Sequence, residues 1–103
     1  VNLEQELETL EGFEAWLKEQ SGVVGITCSF CECPLARYLK SCSGIDFEVA
    51  YNGIWINGED RRRHSKLSGV FVRQVDVGRR SFFEVTAEQV MGALKAAREE
   101  VAQ

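Results

Sequence analysis

Ile45-Asp46-Phe47-Glu48-Val49-Ala50-Tyr51-Asn52-Gly53-Ile54-Trp55-Ile56-Asn57 carries two local signals that agree with each other. Ile45, Phe47, Val49 and Tyr51 alternate with Asp46, Glu48 and Ala50, which is the period of a strand with one buried face. Asn52-Gly53 then supplies a strong two-residue hairpin signal, because both residues accept the positive φ of a tight primed turn. With that pair as the loop, Tyr51 faces Ile54 and Val49 faces Ile56. Both strands present their apolar residues on one side. Ala50 and Trp55 meet on the other, where Trp55 leaves an apolar spot.

Working outward from this hairpin, residues 58–64 read as a polar loop containing Arg61-Arg62-Arg63-His64. Residues 65–77 fit two patterns. Leu67, Val70, Phe71 and Val75 recur as on a helix, with Ser65 as cap and Gly78 as stop. Phe71, Arg73, Val75 and Val77 alternate as on a strand. Length favours the helix. Further on, Thr86-x-x-Gln89 is a capping box, and Val85 with Val90 makes a hydrophobic staple. Val90, Met91, Leu94, Ala97 and Val101 then form the inner stripe of a helix from Ala87 to about Ala102.

Before the hairpin, Leu3, Leu7, Leu10, Phe13 and Leu17 predict an amphipathic helix over 3–20, capped by Asn2. Gly12 weakens its middle by about 1 kcal/mol relative to Ala and marks the expected bend or break. Val23 to Phe30 reads as apolar and irregular or extended. Pro34 suits the first turn of a second helix, which runs to about Ser41 and stops at Gly44. The order helix, helix, hairpin, helix or strand, helix predicts an α+β fold. We expect a single domain over 1–103, with a small antiparallel hairpin or sheet packed against three or four helices.

Three of the four cysteines, Cys28, Cys31 and Cys33, lie within six residues, and Cys42 falls near the end of the Pro34 helix. Clustered thiols suit zinc, thiol redox chemistry, a disulfide or simple burial. A Cys28/Cys31/Cys33 zinc site needs a fourth ligand. Cys42 is excluded, since a helix of this length separates it from Cys33 by roughly 13 Å. His64, the only histidine, is the candidate, with Glu32 as an alternative. For redox chemistry, Cys33 sits at the expected helix N-cap, where the dipole and a neighbouring Arg37 lower a thiol pKa. The remaining reading is that the cysteines pack as small apolar groups.

The segment Cys33-Pro34-Leu35-Ala36-Arg37-Tyr38-Leu39, then Phe71-Val72-x-x-Val75-Asp76, then Val85-Thr86-Ala87, resembles a set of small uncharacterised bacterial proteins. These carry a Cys-Pro-Leu-Ala-x-Tyr-Leu segment and a later Val-Thr-Ala helix start. The resemblance covers about 20 positions between 33 and 90 and implies a helix for the Phe71 segment. It carries no activity. The proline and tryptophan that precede that segment in such proteins are absent here.

Composition sets the outer bounds. The chain has 103 residues, 45% hydrophobic and 27% charged, enough for a core without staples. No apolar run approaches 18 residues, so no membrane span is expected. A cytoplasmic setting is the default expectation, although Val1 leaves room for a removed leader. Net charge is −4, yet Arg61, Arg62, Arg63, Lys66, Arg73, Arg79 and Arg80 crowd into one stretch. A pI near 5.0 argues against a committed nucleic-acid binder, though a weak local contact through Arg61–Arg63 stays open. With one His and no hydrolase, zinc-protease or phosphate-loop motif, an enzyme is not expected. The leading expectation is a binding module, monomer or homodimer, that meets a protein partner through Trp55 and Arg61–Arg63.

Overall fold

The computed structural model describes residues 2–76 and 82–103. Its first departure from a simple amphipathic helix comes at Leu10. Helix α1, Leu3–Thr9, ends there and α2, Glu11–Glu19, begins there, with Leu10 in the left-handed region at φ 54°. Such a conformation is uncommon for a non-glycine residue. It is compatible here with full burial of the Leu10 side chain. The Glu6 carboxylate turns back and accepts the Phe13 amide at 2.9 Å, filling one open donor of α2. Gly12, the expected break, lies inside α2. A Cβ there would press on the Tyr38 hydroxyl and stand 2.6 Å from Glu6 Oε1, so close approach is the use of this glycine.

Residues 23–30 hold a strand that the sequence did not resolve. β1, Val23–Ile26, pairs antiparallel with a late strand, Glu84–Thr86 (β5 below), through an irregularity between Val23 and Gly25. Helix α3, Pro34–Ser43, follows, with Pro34 in its first turn and Gly44 in left-handed conformation at its end. Both terminal signals act as expected.

The hairpin forms from β2, Phe47–Ala50, and β3, Gly53–Ile56. Its loop is Tyr51-Asn52, one residue earlier than predicted. Phe47 therefore pairs with Ile56, Glu48 with Trp55, Val49 with Ile54 and Ala50 with Gly53. Among the described non-glycine residues only Leu10, Cys28 and Asn57 take positive φ, so Asn52 does not build the primed turn. Moving the loop by one residue shifts each cross-strand partner by two, which preserves the buried face and changes the neighbours. Trp55 meets Glu48 and not Ala50, and Tyr51 leaves the inner face for an exposed turn.

The expected polar loop after the hairpin contains a third strand, β4, Asp60–Arg62, antiparallel to β3. Residues 66–76 are helical, which resolves the ambiguous segment. Helix α4, Lys66–Asp76, starts at a reciprocal cap. The Ser68 amide donates to Ser65 Oγ and the Ser65 amide donates to Ser68 Oγ, both at 3.0 Å. Gly78, its expected stop, and Val77 lie outside the described residues. After β5, helix α5, Ala87–Val101, carries the Thr86–Gln89 capping box in full.

The result is an α+β fold with two small antiparallel sheets, ordered β1-β5 and β2-β3-β4, against five helices among the described residues. Phe13, Leu35, Ile54, Phe71 and Leu94 meet in the core and are all essentially inaccessible. No helix of the described residues is long and apolar enough to cross a membrane.

Candidate functional site

Among the described residues the cysteine segment gathers no metal-holding set: no group of three or more His, Cys, Asp and Glu side chains is placed to hold a metal ion. Cys31 points outward and is exposed, while Cys33 turns in as the N-cap of α3. Glu32, the alternative fourth ligand, pairs with Arg37 at 3.0 Å. That same pair gives Arg37 a carboxylate partner. None of the four cysteines is joined in a disulfide, and Cys42 is exposed. The helix start does not activate Cys33. Burial pushes its thiol up to about 12, against the smaller opposing effect of the Ala36 and Leu35 amides. The expectation of a lowered pKa is thus reversed, because desolvation outweighs the helix terminus.

His64 is a framework residue. Its Nε2 lies 2.6 Å from the Ala50 carbonyl and its Nδ1 lies 2.9 Å from Ser68 Oγ. A carbonyl only accepts, so Nε2 carries the proton and Nδ1 takes the Ser68 hydroxyl. Both ring nitrogens are used in fastening β2 to α4. Burial lowers the His64 pKa from 6.5, with the Ala50 bond acting in the other direction. Below about pH 6.5 the unfolded chain takes up a proton that the folded ring resists. The stabilisation is therefore complete above the unfolded value and is lost as pH falls towards the lowered folded value. Glu4, Glu14 and Asp60 all titrate below their ordinary 4.5, 4.5 and 3.8, which leaves this window clear of them. Urea midpoints should fall between pH 7 and pH 5.5 in the wild type and stay nearly level in His64→Gln. Equal slopes in the two proteins would remove His64 as the cause.

Arg61 and Arg62 are successive residues of β4 and so lie on opposite faces of it, and Arg63 follows the strand. Arg61 pairs with Trp55 across β3, its guanidinium carbon 5.7 Å from the ring centroid, and it donates to the Asn52 carbonyl. Gly53 makes room for this path, since a Cβ there would lie 3.0 Å from Arg61 Nε. Arg62 is bound on two sides, to Asp60 Oδ2 at 2.8 Å and Glu4 Oε1 at 2.6 Å. Arg63 is exposed, with no ion pair among the described residues. Trp55 is half-buried under Arg61. The expected open arginine loop is thus in part a strand, which holds Arg61 and Arg62, and Arg62 is already matched by carboxylates.

A different feature gathers residues from four parts of the chain. An apolar cavity of about 180 Å³ lies between the β1–α3 loop, the start of α3, the hairpin end and α4. Phe30, Leu35, Val49, Phe71, Val72 and Val75 supply its apolar lining, and Cys28 and Cys33 add two thiol-bearing residues. Phe30 and Tyr51 belong to it and remain 61% and 59% exposed. The Phe30 carbonyl accepts the Val49 amide at 2.8 Å, which fixes the loop to β2.

Asp76 is the one charged residue of the lining among the described residues. Its Oδ1 accepts the Cys28 amide at 3.2 Å and its Oδ2 accepts the Tyr51 hydroxyl at 2.8 Å. That bond is the main cause that pushes the Tyr51 hydroxyl up to about 12. Sequence reasoning marked Cys28 and Cys33 for other chemistry, set Tyr51 on the wrong side of the hairpin and passed over Asp76. The available signal was helical spacing, since Val72, Val75 and Asp76 share one face of α4. Comparison with protein-family models, with curated proteins and with solved structures finds no match for this chain.

Proposed function

We propose that this chain is a small binding module whose recognition site is the cavity bounded by the β1–α3 loop, the hairpin end and α4. The observation that carries this reading is an apolar hollow of about 180 Å³ flanked by two exposed aromatic residues. A dry engineered cavity of about 150 Å³ accepts one benzene ring, so the fitting group is a single ring or a short branched chain. At ordinary ligand efficiency such a group binds with about 4–5 kcal/mol, a Kd of roughly a millimolar.

The probe is 2-phenylethanol, titrated into isotope-labelled protein and followed by amide chemical shifts. Saturable shifts are expected at residues 28–35, 49–51 and 71–76. Val72→Phe should fill the hollow and abolish them while the thermal transition stays cooperative. Absence of saturation in the wild type, or undiminished shifts in folded Val72→Phe, would overturn the reading.

A second reading is a protein partner at Trp55, Arg61 and Arg63. The guanidinium held over the Trp55 ring supports it, since that pairing suits an acidic partner surface around an aromatic anchor.

A further inference from the structure

We infer that the cavity selects cations and that its ligand is a small arylalkylamine, with the ring in the apolar hollow and the ammonium on Asp76. This rests on the reading of the cavity as a binding site and adds the class of ligand.

Size comes first. About 180 Å³ matches one aromatic ring and falls below the roughly 300 Å³ at which drug-sized pockets begin. The polar end of the ligand is then set by what the wall offers. No Lys, Arg or His is among the described residues of the lining, and Asp76 is the single charge. A bound carboxylate group would meet the Asp76 carboxylate across the hollow, and none of the described lining residues carries a cation to offset it. A neutral ring would fill the apolar part and leave Asp76 unused. An ammonium uses both.

The geometry of Asp76 supports the same choice. Each carboxylate oxygen accepts one protein donor, Oδ1 from Cys28 and Oδ2 from Tyr51. An ionised carboxylate has about four acceptor sites, so these two bonds orient the group and leave capacity for further donors. An ammonium brings three donors on a compact charge. Two fixed partners also mean that Asp76 loses little side-chain freedom when a ligand arrives, which is the advantage of a preorganised contact. Tyr51 reaches the carboxylate through its hydroxyl, and Phe30 adds a second aromatic residue to the same lining, surroundings that favour a cation over an anion. The net charge of −4 acts in the same direction at longer range.

The test compares three ligands of one shape on the full chain at pH 7.4: phenethylamine, 2-phenylethanol and phenylacetate. Chemical-shift titration should give phenethylamine about tenfold tighter than the alcohol, the order expected of one charge-assisted hydrogen bond at a half-buried site. Phenylacetate should be weaker than either. The amine's advantage should shrink at high salt. Asp76→Asn should bring the amine to the alcohol's affinity without changing the alcohol. Tyr51→Phe, which keeps the charge and drops one bond to it, should retain the amine preference. Equal binding of amine and alcohol by the wild type would overturn the arylalkylamine assignment and leave the cavity as a neutral site. Binding of none of the three would overturn the cavity reading as well.

Discussion

Phe13→Ala will lower the unfolding free energy by about 4 kcal/mol, in the range for truncating a fully buried aromatic. Phe13 has no accessible surface and stands where three helices meet. Its ring lies 5.2 Å from Phe71 of α4 in an edge-on arrangement, 5.5 Å from Tyr38 of α3 and 6.0 Å from Trp16 of its own helix. Removing it abandons apolar burial and three ring contacts at once, and the rigid neighbours cannot close over the space. A domain of this size has about 5–15 kcal/mol in total, so the variant should be marginal at room temperature. Urea unfolding with an unchanged slope and a much lower midpoint is the expected observation. A loss below about 2 kcal/mol would mean that the core is not organised around this ring. Phe71 also lines the cavity, so ligand affinity should fall in the same variant.

The second large effect belongs to Gly25→Ala. A Cβ on Gly25 would stand 2.6 Å from the Pro34 nitrogen, 2.7 Å from its Cδ and 2.9 Å from its Cγ. These are backbone and ring atoms at the start of α3, with no flexible end to swing aside. Neither partner is free to retreat. The Ile26 amide donates to the Glu32 carbonyl and the Thr27 amide to the Phe83 carbonyl, both at 2.8 Å, which holds the chain beyond β1 from two sides. Overpacking of this kind costs about 1–3 kcal/mol, and the upper figure applies where main chain must move. For a chain near 100 residues that corresponds to a fall in Tm of roughly 15 °C. Calorimetry is the direct check, and a variant melting within a few degrees of the wild type would show that the β1–α3 approach is loose. Pro34 and Cys33 both line the cavity. The substitution should therefore also weaken 2-phenylethanol binding, even at temperatures where the protein is fully folded.

Features set by neighbouring residues were readable in the sequence. The Thr86–Gln89 box, the Ser65 cap, Pro34 at a helix start and Gly44 at its end each depend on residues within one turn. The buried face of the hairpin was readable for the same reason. Its register was not, because moving the loop by one residue keeps Phe47, Val49, Ile54 and Ile56 on the same side. Strand β4 has no apolar alternation at all: Asp60, Arg61 and Arg62 join the sheet through backbone pairing, which leaves no mark in a hydrophobic pattern. The β1–β5 pair unites segments from opposite ends of the chain, and Val85 had already been explained as a staple. The candidate site was hidden most completely. Asp76 lies 48 residues from Cys28 and 25 from Tyr51, and neither bond follows from spacing.

The ends of the three-stranded sheet have a consequence for crowded solutions. The free side of β2 is capped where Val49 gives its amide to the Phe30 carbonyl. The free side of β4 is three residues long, every one of them charged. A stray strand from another copy finds a covered border on one flank and a short, charged one on the other. Both features are ones that work against edge-to-edge pairing between copies, the first step of fibrillar stacking.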